Sequence, residues 1–457
     1  MANVTRFTII VRATLIKEIR SIGLETFIPF SLLLRILFAM KYSKDTIGLL
    51  LYQKYTKLLG LVLFFVFLLF SCQSHPERSE HLSQNKTLVE NKDSSLVIGA
   101  ERIDELLDII GDRRVAVVGN QTSILSNTVH LVDTLVNRNV QLMKVFSPEH
   151  GFRGKGSAGQ KIDDSKDDKT GLPIVSLYGD HKKPTKEDLA NIELVIFDIQ
   201  DVGVRFYTYI STLHNVMEAC AEYGIPVLVL DRPNPNGDYI DGPILEMAHR
   251  SFVGMHPVPV VHGMTIGEYA FMINGEQWLK DSLQCDLKVL ACKNYHHAMQ
   301  YSLPVPPSPN LRSDISIRLY PSLCFFEGTT LSVGRGTEHP FELYGHPDMD
   351  KDNFSFKPQS MMGAVYPKHQ NLLCGGVNLS TEPLDSRFTL RYLIDALKRT
   401  GDPVSTINRK KFFVLLSGTE RLYNQIIGGL SEKEIRKTWR QDLEAYSAIR
   451  TRYLMYD

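Results

Sequence analysis

The chain has 457 residues, 43% hydrophobic and 22% charged, the balance of a soluble globular protein with material for two or three domains. Lys plus Arg and Asp plus Glu both number 51, so the formal net charge is zero and the basic excess of a general nucleic-acid binder is absent.

In chain order, the first feature is one that does not belong to a fold. Leu58–Phe70 is continuously apolar for about 13 residues and is preceded by Lys54 and Lys57. A bilayer-spanning helix needs roughly 20 such residues. A short apolar core behind a basic flank is instead the pattern of a secretory signal peptide. The run ends Leu69-Phe70-Ser71-Cys72, similar to a bacterial lipobox, which makes Cys72 the expected lipidation site. Residues 1–72 are thus expected to be leader and signal peptide, with an uncleaved anchor as the other reading. Either way the rest is expected to be exported and held at a membrane. Met40 followed by Lys41 would make an ordinary start, leaving residues 1–39 untranslated; the apolar stretch Phe27–Met40 offers the rival reading of an extra membrane-proximal segment. Residues 73–96 are polar, rich in Ser, Glu, Asn and Lys, and are expected to form a flexible tether.

From Val97 helix and strand alternate. Arg102–Ile110 has helical periodicity, Val115–Gly119 is a short buried strand, Thr128–Asn137 a helix and Val140–Phe146 a strand. Strands are also predicted at Ile174–Tyr178, Leu194–Asp198 and Ile225–Asp231, with a helix over Thr208–Tyr223 ending at Gly224. Short apolar strands alternating with helices imply parallel βαβ units covered on both faces. Residues 97–244 therefore read as a Rossmann-like α/β layer. A boundary is expected in the proline-dense Asp231–Pro243 stretch, followed by a second, smaller α/β subdomain over 245–457. There, helices are predicted at Met264–Asn274, Phe388–Lys398 and Glu432–Arg452, and a strand at Leu287–Ala291. Five cysteines follow Cys72, an odd number without CxxC spacing, which indicates neither a zinc site nor a disulfide framework. Most are expected to be buried apolar residues, with a Cys285–Cys292 bridge as the other reading for that pair.

Three polar loops close predicted strands. Ser147-Pro-Glu149-His150-Gly-Phe-Arg153-Gly-Lys-Gly156 follows the second strand, where open α/β sheets bind ligands. It fails as a P-loop, because Lys155 is followed by Gly156 and Glu149 occupies the place of the first glycine. Asp198-Ile-Gln200-Asp201-Val-Gly-Val-Arg205-Phe-Tyr207-Thr-Tyr209 is dense in charge, which is costly at a strand end unless solvated or used. Asp231-Arg-Pro-Asn234-Pro-Asn-Gly237 is an ordinary turn alone, but beside the other two it completes a pocket wall. Thr265 and Glu268 form a capping box, making Glu268 structural, while His262 could face the cleft. Pro307-Ser-Pro-Asn310 and Phe326-Glu327-Gly-Thr329 with Gly334-Arg335-Gly336 add polar loops from the second subdomain.

Those loops together resemble the exo-β-N-acetylmuramidases, glycoside hydrolases formerly grouped as a domain of unknown function. The resemblance runs from about residue 97 to the C-terminus. It implies a Rossmann-like domain and a smaller partner with the active-site cleft between them, and release of non-reducing-end N-acetylmuramic acid from peptidoglycan fragments. The lipoprotein signal fits a periplasmic cell-wall-recycling enzyme.

Glycosidases normally use two carboxyl groups. Glu149, which matches the family's Pro-Glu-His motif, is the expected acid, with Asp198 or Asp201 as the neighbouring carboxylate that would keep it protonated and His150 beside it; the identity of the second catalytic group stays open. Substrate assistance by the sugar's acetamido group would need only one. Arg153, Arg205 or Arg335 could pair with the lactyl carboxylate, since guanidinium binds carboxylate two-pronged. Tyr207 and Tyr209 could stack on the ring, with Gln200, Asn234, His262, Asn310 and Glu327 as further contacts. No cofactor or metal is called for. Two rivals remain: a metal-dependent hydrolase using Glu149, His150, Asp198 and His262, for which His-x-x-x-His spacing is lacking, and a non-catalytic peptidoglycan-binding lipoprotein.

Overall fold

The computed structural model describes residues 95–149, 151–154 and 165–457. The apolar runs become strands because each can be buried on both faces. β1 (Val115–Gly119), β2 (Leu142–Ser147), β3 (Ser165–Lys166), β4 (Pro173–Ser176), β5 (Leu194–Asp198), β6 (Val227–Leu230) and β7 (Leu287–Leu290) form one sheet in the order β3-β4-β2-β1-β5-β6-β7. All neighbours are parallel except β3, which runs antiparallel to β4. Counted along the chain, the six parallel strands follow the order 3-2-1-4-5-6 of a doubly wound Rossmann sheet, with its switch point between β1 and β5. The sheet takes its last strand, β7, from beyond the proline-dense stretch at 231–243.

Alternation along β1 shows why both faces are covered. Val115 and Val117 point into one apolar cluster with Leu106, Leu131 and Ile196, while Ala116 and Val118 point into another with Phe197 and Leu213. Helices α1 (Ile103–Ile110) and α2 (Leu131–Asn137) cover the first face; α3 (Tyr209–Tyr223) and α4 (Ile266–Gly275) cover the second. Helix α3 stops where Gly224 takes a left-handed conformation. Helix α4 starts at the predicted capping box: Thr265 Oγ1 accepts from the Glu268 amide at 3.2 Å, and Glu268 Oε2 accepts from the Thr265 amide at 2.9 Å.

The C-terminal half contributes α5 (Asp314–Leu323), a three-stranded antiparallel sheet of β8 (Leu343–His346), β10 (Cys374–Asn378) and β9 (Ser355–Phe356), and six helices. These are α6 (Arg391–Thr400), α7 (Pro403–Thr406), α8 (Lys410–Ser417), α9 (Glu420–Ile427), α10 (Glu432–Lys437) and α11 (Arg440–Arg450). The single helix expected over 432–452 is broken in two, because Trp439 turns inward against Phe388. Phe325, Phe388, Phe413 and Trp439 join the same apolar cluster as Val118 and Phe197, so the two halves share one core. Cys220, Cys285, Cys292, Cys324 and Cys374 are buried and free, and the Cys285–Cys292 bridge does not form. Among the described residues, no helix is long and apolar enough to cross a membrane.

Candidate active site

The loops leaving β2, β4 and β5 meet the 324–335 segment of the C-terminal half around a cavity of about 250 Å³. Register explains the meeting of its first two groups. Ser147 of β2 pairs with Ser176 of β4, so Glu149 and Tyr178 each lie two residues past the same level of the sheet. The Tyr178 hydroxyl donates to Glu149 Oε1 at 3.1 Å. Burial and the nearby Glu149 carboxylate push that hydroxyl's pKa up, so it stays a donor. Thr208 Oγ1 lies 3.5 Å from Glu149 Oε2, and Thr208 is the N-cap of α3. The half-buried Glu149 side chain therefore sits beside the first turn of α3.

Across the cavity Arg335 Nε donates to Glu327 Oε1 at 2.7 Å, with side chains 28% and 22% exposed. Burial alone would raise the Glu327 pKa, but Arg335 and Lys368 outweigh it and hold the carboxyl below its ordinary value. Arg335 lies over Phe341, its guanidinium carbon 5.0 Å from the ring centre. The ion pair uses Nε, and among the described residues the two Nη groups make no hydrogen bond. Asn310 also lines the cavity and is fixed by donating to the Gly363 carbonyl at 2.8 Å. Tyr207 and Tyr209 present their rings there, packed edge to face, and both hydroxyls donate to the Pro307 carbonyl, at 2.8 and 3.4 Å.

The other nominated residues among those described do not line this cavity. Asp198 makes a two-pronged pair with Arg232, at 2.6 and 3.0 Å, and both side chains are at most 1% exposed. Asp201 accepts from the Gly203 amide at 2.7 Å and faces His262 Nε2 at 3.6 Å. His262 is fully buried against the Tyr269 ring rather than facing the cleft. Gln200 donates to the carbonyls of Asp201 and Pro233, and Asn234 to that of Met264. These groups fill the crevice at the switch point with the protein's own polar contacts.

Arg205 corrects the sequence reading most sharply. It is fully buried and donates to the carbonyls of Pro243, Val258 and Leu416, at 2.8, 2.7 and 2.9 Å. Burial lowers its pKa to about 9, which leaves it charged at neutral pH as a clamp on the C-terminal end of α8. Gly203 makes this possible. Its φ of +76° turns the chain inward, and a Cβ there would lie 2.2 Å from Asn234 Oδ1. Arg153 is likewise spent: it bonds Asp167 at 3.0 and 2.8 Å and Asp133 at 2.9 Å, tying α2 to the β3–β4 turn. His150 and Cys72 lie outside the described residues. Tyr178 and Thr208 were missed by sequence reasoning. Tyr178 closes a predicted strand beside the Glu149 loop, and that adjacency was the available signal. Of the metal-hydrolase rival's ligands among the described residues, Asp198 and His262 have the partners just described and do not line the cavity that Glu149 lines.

A carboxylate at a strand terminus and a guanidinium–carboxylate pair thus line one polar cavity at the carboxyl edge of an α/β sheet, the place where such folds bind ligands. Two family models match, described as exo-beta-N-acetylmuramidase NamZ, N-terminal, over residues 115–315, and its C-terminal counterpart over 318–456. The chain is 38% identical over 369 residues to the peptidoglycan beta-N-acetylmuramidase NamZ of Bacillus subtilis strain 168, an alignment covering 75% of this chain and 87% of that one. Among solved structures, one DUF1343 family protein of Bacteroides fragilis superposes with a TM-score of 0.74 at 46% identity, covering 80% of this chain and 99% of the other. A second from the same organism gives 0.70 at 27% identity, with 79% and 99% covered. The chain belongs to the exo-β-N-acetylmuramidase family and is a glycosidase.

Proposed function

We propose that the enzyme removes β-1,4-linked N-acetylmuramic acid from the non-reducing end of peptidoglycan fragments during cell-wall turnover and recycling. The observation that carries this reading is that Glu149 and Arg335 line one cavity. Muramic acid differs from its neighbour in the glycan by a lactyl carboxylate, and Arg335 is the nominated arginine that reaches the cavity. Of the nominated carboxyls, only Glu149 and Glu327 line it. Glu327 is held ionised by Arg335, so the proton-donor role falls to Glu149. In the cleavage step Glu149 gives its proton to the glycosidic oxygen as the C1–O bond breaks. Water supplies the new C1–O bond and returns a proton to the carboxylate. Tyr178 orients Glu149, and the rings of Tyr207 and Tyr209 shape the sugar's seat.

The protein is exported to the periplasm and held there by a lipid on Cys72, with residues 73–96 as tether; the apolar run and the lipobox-like ending support this. Loss of membrane association in Cys72→Ala would be the expected result of fractionation. The catalytic reading is tested by incubating the enzyme with a muramic acid–glucosamine disaccharide. Free monosaccharides are expected from the native enzyme and none from a folded Glu149→Gln variant. Retained cleavage by that variant would move the acid role elsewhere.

A further inference from the structure

The segment between β9 and β10 reaches back to the turn that carries Glu327. Lys368 Nζ donates to the carbonyls of Phe326, Thr329 and Leu331, at 2.8, 2.6 and 3.2 Å. An ammonium has three donors, and here all three are used on one short stretch of chain. The neighbouring His369 Nε2 lies 2.6 Å from the Thr330 carbonyl, which completes the grip. Carbonyls converging on one point repel one another unless a cation sits among them. The turn that carries Glu327 is therefore shaped around Lys368, and Glu327 in turn holds Arg335.

We propose that Lys368 is a positioning residue for substrate recognition: its ammonium fixes the Phe326–Leu331 turn, and through Glu327 it sets the angle at which Arg335 meets the ligand carboxylate. This rests on the reading that Arg335 binds that carboxylate. The charged and titratable groups facing Lys368 are Glu327, Arg335, Arg409 and Cys324, with His369 next to it in the chain. Burial, with Arg409 and Arg335 adding to it against the pull of Glu327, lowers its pKa to about 8. The clamp is complete below that pH and loosens as pH rises through it.

The test is steady-state kinetics of the full enzyme from neutral to alkaline pH, on a chromogenic N-acetylmuramic acid glycoside and on its N-acetylglucosamine counterpart, which lacks the lactyl group. For the native enzyme, KM for the muramic substrate should rise as pH passes about 8, with no matching rise for the glucosamine substrate. Lys368→Met should raise the neutral-pH KM for the muramic substrate roughly tenfold, the scale expected of a slight misplacement of a binding group. It should also abolish the alkaline rise. A folded Lys368→Met variant with native KM overturns the proposal, as does one that keeps the alkaline rise. Should that variant fail to fold, the native profile decides: an alkaline rise absent, or equal for both substrates, overturns it too. Arg335→Met separates the two readings. If it binds the muramic substrate as tightly as the native enzyme, the carboxylate reading falls. If it binds weakly while Lys368→Met is unaffected, only the role of Lys368 falls.

Discussion

Two rims of the same sheet edge carry similar densities of charge and meet opposite fates. At the β5–β6 rim, Asp198 and Arg232 pair with each other in full burial. At the β2–β4 rim, Glu149 is half-buried and opens on a cavity, with Arg335 and Glu327 partly exposed across it. Charge at a strand terminus must be compensated in either case. Where the protein supplies the whole compensation, the residues are frame. At the other rim the charges stay partly exposed to a hollow.

Substitutions can break this comparison, and the largest effect is expected at Glu149. Glu149→Gln should fold with native stability and lose roughly 10³-fold or more in kcat, the scale of general acid catalysis. Equal losses of stability and activity would erase the distinction between the rims. Arg232→Met should do the reverse. Leaving Asp198 buried without its partner costs about 3–5 kcal/mol in chemical denaturation, while kcat per folded molecule stays native. Arg335→Met should cost about 2–3 kcal/mol in binding of the muramic substrate, the scale of removing one member of a desolvated charge pair, with a smaller loss for a glucosamine substrate. The smallest effect belongs to Tyr178→Phe, which removes one hydrogen bond to Glu149 and should lower kcat/KM about tenfold, near 1.4 kcal/mol. A Tyr178→Phe loss as large as that of Glu149→Gln would make the tyrosine a proton-transfer group in its own right.

Much of the frame was legible in the sequence because its signals are local. Runs such as Val115–Gly119 and Leu194–Asp198 can only be buried strands, and the Thr265–Glu268 box marks the start of α4. The antiparallel sheet was not legible. Its strands Leu343–His346 and Cys374–Asn378 are short, glycine-containing and without clear alternation. At the site, Glu149 and the Glu327–Arg335 loop could be named because each stands in a distinctive motif. The fate of Asp198 was hidden because its partner lies 34 residues away. That of Arg205 was hidden further, since one of its acceptors, the Leu416 carbonyl, lies 211 residues on. An arginine in a polar loop reads the same whether it will meet a ligand or a helix end. Only the packed chain decides.

The core running without interruption from Val118 to Trp439 bears on how substrate gets in. Opening the halves like a clam would expose Phe325, Phe388 and Phe413 to water, so wide parting is disfavoured at every turnover. Both halves should then melt in one cooperative step even though the two family models divide near residue 316.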